Sequence, residues 1–361
     1  MSRTVLIAGA SGLVGSAAAI AFADAGWNVV AASRRPPELL EGRAYRYLAL
    51  DLTDADACAA AASTLGDVTH VVYTAVFELP GLMAGWSDPL QIETNGRMLR
   101  NLLDPLRAHA QLKHVSILQG TKAYGGHIRP LRVPAREDQP RVEHPNFYWL
   151  HEDYVRAMAN RDGVGFTIFR PQLIVGPNHG VVMNPVPVLG IYAAIRRELG
   201  LPFSYPGGAT WVWEAVDTRL VAGALLWAAD APEADRQTFN LTNGEVFSFR
   251  DMWPALARTL GVEVGPDEPL RLASWIPAHA DVWARVVQRH GLRDIPLPAL
   301  LGESHHYADL CLNSGSDTPP APTFVSTVKI RKAGFNAVYD TEESFCHWLR
   351  DLSARRILPP A

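Results

Sequence analysis

Cysteine is scarce in this chain of 361 residues, which has Cys58, Cys311 and Cys346 and no others. The three are far apart and form no Cys-x-x-Cys pair, so their spacing argues against structural disulfides and against a thiolate metal site. Such cysteine usage is typical of proteins from a reducing compartment. We therefore expect a cytoplasmic protein.

Long apolar runs and an excess of one charge are also missing. Although 48% of the residues are hydrophobic, no run reaches the ~18 residues that a membrane helix needs, so we expect no membrane segment. A formal net charge of −4 indicates no nucleic acid or anionic membrane as a partner. The N-terminal sequence MSRTVLIAGASG lacks the charged region, apolar core and cleavage site of a secretory leader.

Metal-ligand and nucleophile motifs are absent as well. The isolated histidines have no metal-ligand spacing with acidic residues, and the adjacent His305 and His306 cannot easily present both rings to one ion. The sequence contains no Gly-x-Ser-x-Gly motif for a nucleophilic serine. We therefore expect no bound metal.

The sequence does contain an alternation of short apolar runs and helical segments. Strands are predicted at 4–8, 27–33, 44–52, 69–75, 113–120 and 166–171, and helices at 13–25, 55–65, 90–110 and 147–161. Such alternation predicts βαβ units and an α/β fold, a doubly wound parallel sheet of the Rossmann type.

After Pro171 the composition shifts towards glycine, proline and aromatic residues. The later predicted elements are a helix near 186–199, a strand at 238–243 and a helix at 249–261. We expect a first domain of residues 1–175 and a smaller, mainly substrate-capping domain of residues 176–361. Some later segments are expected to return to the first domain.

A glycine loop, IAGASGLVG, follows the first predicted strand and opens the first helix. Its spacing, Gly9-x-x-Gly12-x-x-Gly15, allows a tight turn, a close approach of pyrophosphate to the backbone, and packing of helix on strand. The helix N-terminus then offers free N–H groups to the phosphates. The loop therefore predicts a dinucleotide site.

The residues after the second predicted strand indicate which dinucleotide is bound. That strand ends in Ser33-Arg34-Arg35, where an NAD enzyme usually carries Asp or Glu for the ribose hydroxyls. Two guanidiniums can instead hold a 2′-phosphate. We expect NADP(H).

Further along the chain, Asn95 on the long helix and Arg170-Pro171 before a Gly-Pro-Asn turn complete a pattern that resembles an extended short-chain dehydrogenase/reductase. Most of that superfamily uses Tyr-x-x-x-Lys, in which the ammonium lowers the tyrosine pKa and holds the nicotinamide ribose. In NFYWLHEDYV (146–155), Tyr148 is present but Glu152 stands at the lysine position. A carboxylate cannot supply the cation.

One of the chain's four lysines can replace it. Lys122 lies in TKAYGG (121–126), just past the carboxyl end of the fifth predicted strand, where open α/β sheets bind ligands. A TK-x-Y-x-G stretch joined with NFY-x-x-x-ED resembles the progesterone 5β-reductase/iridoid synthase-like subgroup, and NPVPVLGIYAAI (184–195) is similar to its capping helix.

This resemblance implies an NADPH-dependent reductase of activated C=C bonds in enones and enals. It implies Tyr148 as the donor to the developing oxyanion, and Lys122 as its electrostatic assistant and ribose ligand. The family also implies a homodimer. Besides the glycines, the expected cofactor-binding residues are Ser11, Leu13, Ser33, Arg34, Arg35, Asp51, Leu52, Thr74, Ala75, Gln119, Lys122, Tyr148, Pro171 and Ile174.

The substrate pocket departs from the plant members of the subgroup. Those members often carry a tryptophan and a phenylalanine where this chain has Ala75 and Ile128. Phe77, Ile128, Tyr192 and Trp211 are expected to line the pocket, which would take an apolar enone, enal or ketone.

Three alternatives to enone reduction stay open. The nearest is a ketone or aldehyde reductase, or alcohol dehydrogenase, which the same Tyr148 and Lys122 pair would serve. A sugar-nucleotide epimerase is less favoured, because those relatives generally keep Tyr-x-x-x-Lys. A non-catalytic NADP-sensing protein would usually lack the tyrosine.

Overall fold

The described part of the chain comprises residues 3–82 and 84–361 of a computed structural model, and it forms nine β-strands and thirteen α-helices. In chain order the strands are β1 (Thr4–Ala8), β2 (Asn28–Ser33), β3 (Arg46–Ala49), β4 (His70–Tyr73), β5 (His114–Leu118), β6 (Gly165–Pro171), β7 (Leu173–Val175), β8 (Ala215–Asp217) and β9 (Gln237–Leu241). The helices are α1 (Leu13–Asp24), α2 (Ala55–Ala62), α3 (Pro89–His109), α4 (Phe147–Asp162), α5 (Pro185–Glu198), α6 (Thr218–Asp230), α7 (Phe249–Leu260), α8 (Leu272–Ala278), α9 (Ala280–His290), α10 (Leu297–Leu301), α11 (Ser304–Cys311), α12 (Val328–Lys332) and α13 (Thr341–Ala354).

Seven strands form one parallel sheet in the order β3-β2-β1-β4-β5-β6-β9. Strands β1 and β4 are buried along their whole length, as is typical of strands that are covered on both faces. The sheet confirms the predicted α/β fold of the Rossmann type. Because the strand order reverses at β1, the crevice outside the carboxyl ends of β1 and β4 is the expected ligand site.

Helices cover both faces of the sheet. On one face α1 packs against α6, and the small residues Ala18 and Ala19 belong to this core. On the other face α3 and α4 contribute Leu102, Leu103 and Met158. Helix α6 is not among the predicted elements, and it follows directly on β8.

A third core lies in the cap, which is built mainly from residues after 176. Every residue of α5 from Pro185 to Arg196 is buried, because α7, α8, α9, α11 and α13 pack around this helix. Although they also come after residue 176, α6 and β9 pack against or join the large sheet. No helix within residues 3–82 and 84–361 is long and apolar enough to cross a membrane.

Candidate active site

Two depressions meet at the carboxyl edge of the sheet. A groove of about 370 Å³ runs over the glycine loop and the ends of β2 and β4. A cavity of about 880 Å³ is lined by residues of the sheet edge and of the cap. Gln119, Tyr148, Ile174 and Met183 line both depressions, so ligands in the groove and in the cavity would meet beside Tyr148.

The groove begins at the glycine loop, whose geometry fits a dinucleotide. Gly9 has a φ of +87°, and a Cβ there would lie 2.8 Å from the backbone nitrogen of Ala75. A Cβ at Gly15 would lie 2.1 Å from the Gly9 oxygen, so this glycine lets α1 pack on the loop. Helix α1 begins at Leu13 without a side-chain cap, which leaves backbone N–H groups for phosphate.

Most of the predicted cofactor-binding residues line this groove. They are Gly9, Ser11, Gly12, Leu13, Ser33, Arg34, Arg35, Asp51, Leu52, Thr74, Ala75, Gln119, Tyr148 and Ile174. Three predicted residues lie beside it: Gly15 is buried where α1 meets the loop, whereas Lys122 and Pro171 line the neighbouring cavity.

The two arginines that follow β2 make one end of the groove cationic. Arg34 and Arg35 are exposed and line the groove. The Ser33 hydroxyl donates to the Arg35 carbonyl at 2.7 Å and so fixes this turn. Nearby, hydrogen bonds from the backbone and hydroxyl of Thr53 lower the pKa of Asp51. The residues present therefore fit a dinucleotide with an additional phosphate at this end.

Tyr148 lies in the first turn of α4. Asn146 caps this helix by accepting a hydrogen bond from the Tyr148 N–H at 3.0 Å. The Tyr148 hydroxyl lies beside Gly120, where a Cβ would be 3.4 Å away. Burial raises the pKa of Tyr148, the Glu78 carboxylate raises it further, and Arg170 opposes the rise. At neutral pH the side chain is therefore a neutral hydroxyl, which suits it to donate a hydrogen bond.

Lys122 follows β5 in a short 3₁₀ turn, Thr121–Tyr124. Its Nζ lies 3.9 Å from the centre of the Trp86 indole and 5.8 Å from the centre of the Tyr148 ring. Burial lowers the pKa of Lys122 to about 8, although the Glu78 carboxylate opposes this shift. The structure thus brings Lys122 and Tyr148 to the same wall of the cavity, while their catalytic roles stay predictions.

Glu152, at the position of the usual lysine, lines neither the groove nor the cavity. Its carboxylate accepts from Gln119 Nε2 at 3.0 Å and pairs with Arg170 at 3.4 Å. It also pairs with Arg141 at 3.1 Å and with Arg156 at 3.0 Å. Burial raises the pKa of Glu152, but the Gln119 hydrogen bond and the three guanidiniums outweigh burial and lower it. The carboxylate therefore ties together the ends of β5 and β6 rather than reaching a ligand.

Aromatic and aliphatic side chains make up much of the cavity wall. Trp86, Trp211 and Trp213 line it, and the Trp211 and Trp213 rings stack with centres 4.7 Å apart. Trp211 is one of the four predicted pocket residues. Leu173 and Met183 extend the apolar wall. Such a cavity suits an apolar substrate.

The other predicted pocket residues lie elsewhere, so three placements need correction. Ile128 is 55% exposed and lines neither depression, so its placement in the pocket is wrong. Tyr192 is wrong too, because it lies in the middle of α5, is buried in the cap core and donates to the Ser204 carbonyl at 3.0 Å. Phe77 lines the groove rather than the cavity, and its backbone is held by both polar groups of the Asn95 side chain.

Three residues of the site were not singled out by the sequence. Glu78 lines the groove, and burial raises its pKa against the attraction of Lys122. His127 and Tyr307 line the cavity. Glu78 follows β4 by a few residues, which is the one signal that could have marked it, whereas Tyr307 comes from a short cap helix without a motif. The described residues bring together no group of three or more His, Cys, Asp or Glu side chains that could hold a metal ion.

Comparison with known proteins identifies the class to which this site belongs. Residues 5–242 match the NAD dependent epimerase/dehydratase family. A short-chain dehydrogenase/reductase superfamily protein from Agrobacterium tumefaciens, solved with bound NAD, has the same fold, with a TM-score of 0.65, 18% identity and 98% of both chains covered. The chain belongs to the NAD dependent epimerase/dehydratase family.

Two relatives narrow the class further. An (S)-8-oxocitronellyl enol synthase from Antirrhinum majus is 32% identical over 98% of this chain and 92% of its own length. A 3-oxo-Delta(4,5)-steroid 5-beta-reductase from Arabidopsis thaliana is 30% identical, again over 98% of this chain and 92% of its own. The chain is thus a member of the progesterone 5β-reductase/iridoid synthase-like subgroup, which confirms the resemblance carried by TKAYGG and NFYWLHED.

Proposed function

We propose that the protein uses NADPH to reduce the activated C=C bond of α,β-unsaturated carbonyl compounds. One observation carries the proposal: the cofactor groove and the apolar cavity meet at Tyr148, with the Lys122 ammonium on the same wall. The names of the two relatives, an enol synthase and a steroid 5-beta-reductase, support enone chemistry.

A bound reduced nicotinamide supplies the hydride. The enone accepts it at the β-carbon, the C=C electrons move towards the carbonyl, and negative charge develops on the carbonyl oxygen as an enolate. The Tyr148 hydroxyl donates a hydrogen bond to that oxygen, and the Lys122 charge stabilises it further. A proton from water then adds to the α-carbon and completes the saturated carbonyl product.

The protonation state of Tyr148 favours enone reduction over alcohol oxidation. Alcohol oxidation requires a base that takes the hydroxyl proton of the substrate, and burial raises the pKa of Tyr148 away from that role. Stabilising an enolate requires only a neutral donor. The pair of Tyr148 and Lys122 is therefore better suited to enone reduction than to alcohol oxidation.

The preference for NADPH over NADH is the second part of the proposal. Arg34 and Arg35 line the groove where the 2′-phosphate would lie, and the turn after β2 carries no acid that would repel it. A cytoplasmic location, favoured by three free and buried cysteines, and a homodimer, implied by the family, belong to the same proposal.

Matched substrates test the function. NADPH oxidation is followed with a cyclic enone and with the saturated ketone of the same skeleton, and products are identified by mass spectrometry. We expect the enone to give the saturated ketone and the saturated ketone to give no turnover. An allylic alcohol would instead indicate a carbonyl reductase. NADPH binding without turnover across a panel of enones and enals would indicate a sensing protein.

A further inference from the structure

The Lys122 side chain has an unusual environment for a buried cation. Among the residues that the structure describes, no carboxylate oxygen lies within 4.0 Å of its Nζ. The indole of Trp86 lies closer to the Nζ than the Tyr148 ring does, with its centre 3.9 Å away against 5.8 Å. At this distance the ring's negative face attracts the ammonium, and the attraction is stronger where water is excluded.

We propose that Trp86 is the positioning residue for Lys122: a cation–π contact with its indole holds the ammonium on the cavity wall beside Tyr148. A lysine on a loop has a flexible four-carbon stem, so it needs a partner that fixes its head. In the usual Tyr-x-x-x-Lys arrangement a helix carries both groups, whereas here Lys122 and Tyr148 come from separate segments. Trp86 supplies the missing constraint.

The Trp86 ring also packs against other aromatic rings. An aromatic row, defined as Trp86, His127, His144 and Trp149, packs edge to face, with successive ring centres 6.0, 5.0 and 5.8 Å apart. Trp149 follows Tyr148 on α4, so the row links the lysine's partner to the helix that carries the tyrosine. The ring is thus placed relative to both members of the pair.

A neutral partner has a chemical advantage over a carboxylate. An acid in contact with the ammonium would cancel much of its field, whereas an indole leaves the positive charge available to a developing oxyanion. The charged and titratable groups around Lys122 are few. Glu78 attracts the ammonium from the loop after β4, Tyr148 faces it from α4, and burial lowers the pKa of His127 to about 4, so that this ring is neutral where Lys122 titrates.

The small number of lysines permits a direct test. Lysine labelled with ¹³C at Cε gives one signal for each of Lys113, Lys122, Lys329 and Lys332, and the signal lost in Lys122→Arg identifies Lys122. Titration of the cofactor-free protein then reports the Lys122 pKa, starting from about 8 in the parent protein. This measurement requires no enzymatic activity.

Removing the ring should destabilise the charged form of Lys122. We expect Trp86→Leu, which keeps the site apolar, to lower the Lys122 pKa by about 0.5–1.5 units. Trp86→Phe should lie between the parent protein and the leucine variant, because phenylalanine attracts a cation more weakly. The matched control is Trp211→Leu, which removes another cavity tryptophan that stacks on Trp213, and which should leave the Lys122 pKa unchanged.

A kinetic measurement gives a second test, which, unlike the titration, rests on the proposed function. The kcat/KM for an enone should fall as the pH rises through the Lys122 pKa, and this basic limb should move to lower pH in Trp86→Leu by the same shift. An unchanged or raised Lys122 pKa in a folded Trp86→Leu protein would overturn the inference. A shifted pKa without any enone turnover would contradict the proposed function and leave the positioning role standing.

Discussion

At the scale of single residues, the state of the Tyr148 hydroxyl decides what the site can do. The side chain is buried, its pKa is raised, and Gly120 leaves space beside its oxygen. A neutral phenol at the junction of groove and cavity can stabilise an enolate without changing its own charge. Removing the hydrogen bond that it donates should therefore lower the rate of enone reduction by a measurable factor.

Replacing Tyr148 with phenylalanine removes that donor and keeps the ring. We expect kcat for a weakly activated enone to fall by about 10²–10³-fold, the usual effect of losing one oxyanion donor. The Kd for NADPH, measured by fluorescence quenching, shows whether the variant still binds the cofactor. Tyr154→Phe is the control, because that hydroxyl lies on the same helix but bonds to Asp104 outside the site. Near-parental turnover of Tyr148→Phe would contradict the assignment.

Arg34 and Arg35 are the second residue-scale feature. Both are exposed at the end of the groove and each can form charge-assisted hydrogen bonds with a 2′-phosphate. Changing both to alanine should reduce the ratio of NADPH to NADH affinity by about 10²-fold or more, since a hydrogen bond to a charged group contributes ~1.5–3 kcal/mol. Arg43→Ala, which removes a half-buried arginine paired with Asp24, should leave the ratio unchanged. Equal losses for both cofactors would show that the two arginines do not read the phosphate.

At the scale of elements, Glu152 joins the ends of two strands to a helix. Its carboxylate, on α4, holds Gln119 at the end of β5 and Arg170 in β6. Gln119 also receives the Arg170 Nε–H at 2.8 Å and donates to the Tyr148 carbonyl at 3.2 Å. Glu152, which replaces the usual lysine, thus helps to fix the backbone position of Tyr148 relative to the ends of β5 and β6.

Removing this carboxylate should destabilise the whole fold. Glu152→Ala leaves Arg170 buried without its charge partner, which typically costs about 3–5 kcal/mol in the free energy of unfolding. Urea denaturation measures the loss. Asp153→Asn is the matched control, because that neighbouring acid also pairs with Arg141 but is 62% exposed, and it should cost less than about 1 kcal/mol.

The pH dependence of the free energy of unfolding gives a second test of the contribution of the Glu152 carboxylate. The pKa of Glu152 is lower in the folded protein than in the unfolded chain, so its contribution is complete above the unfolded pKa and is lost as the pH falls through the folded value. The free energy of unfolding of Glu152→Gln should therefore fall less steeply with decreasing pH, below the ordinary glutamate pKa of 4.5, than that of the parent protein.

The same scale shows what the sequence could predict. The buried strands are short apolar runs, and α1, α3 and α4 are long helical segments between turn signals, so all of these were predicted to within a few residues. The strands β7 and β8, at three residues each, and the short cap helices α8, α10 and α11 have too little local signal, because tertiary packing stabilises them.

The candidate site divides in the same way. Tyr148, Lys122 and the glycine loop could be proposed from the sequence because their chemistry restricts the residue type and places it at strand or helix ends. Tyr192 and Ile128 were misplaced because the sequence of a cap helix or loop does not say which side faces the cavity. Trp86 could be seen only as an aromatic residue, since its contact with Lys122 depends on how two distant loops meet.

At the scale of the whole molecule, the sheet and the cap line different parts of the candidate site. The glycine loop and β2 form the groove, whereas the cap supplies Trp211, Tyr307 and other walls of the cavity. The groove and the cavity meet beside Gln119 and Tyr148, past the carboxyl end of β5. The site therefore requires a folded sheet. The stability of this sheet depends in turn on buried groups that can take up protons.

Buried histidines make that stability depend on pH. Burial lowers the pKa of His114, on β5, to about 3 and that of His151, on α4, to about 4. Both rings are neutral in the folded protein but take up protons in the unfolded chain below pH 6.5. The unfolded state then binds more protons, so the free energy of unfolding should fall as the pH decreases from about 6.5 towards 4, by up to about 1.4 kcal/mol per pH unit for each such histidine.

His114→Asn isolates one of these protons. Its absolute stability will also reflect the lost hydrogen bond between His114 Nε2 and the Thr167 hydroxyl, at 2.9 Å, so the slope with pH is the informative quantity. We expect the slope between pH 6.5 and 4 to become shallower by close to one proton's contribution. The exposed His109, changed to Asn, should leave the slope as it is. An unchanged slope for His114→Asn would mean that its ring is protonated in the folded sheet.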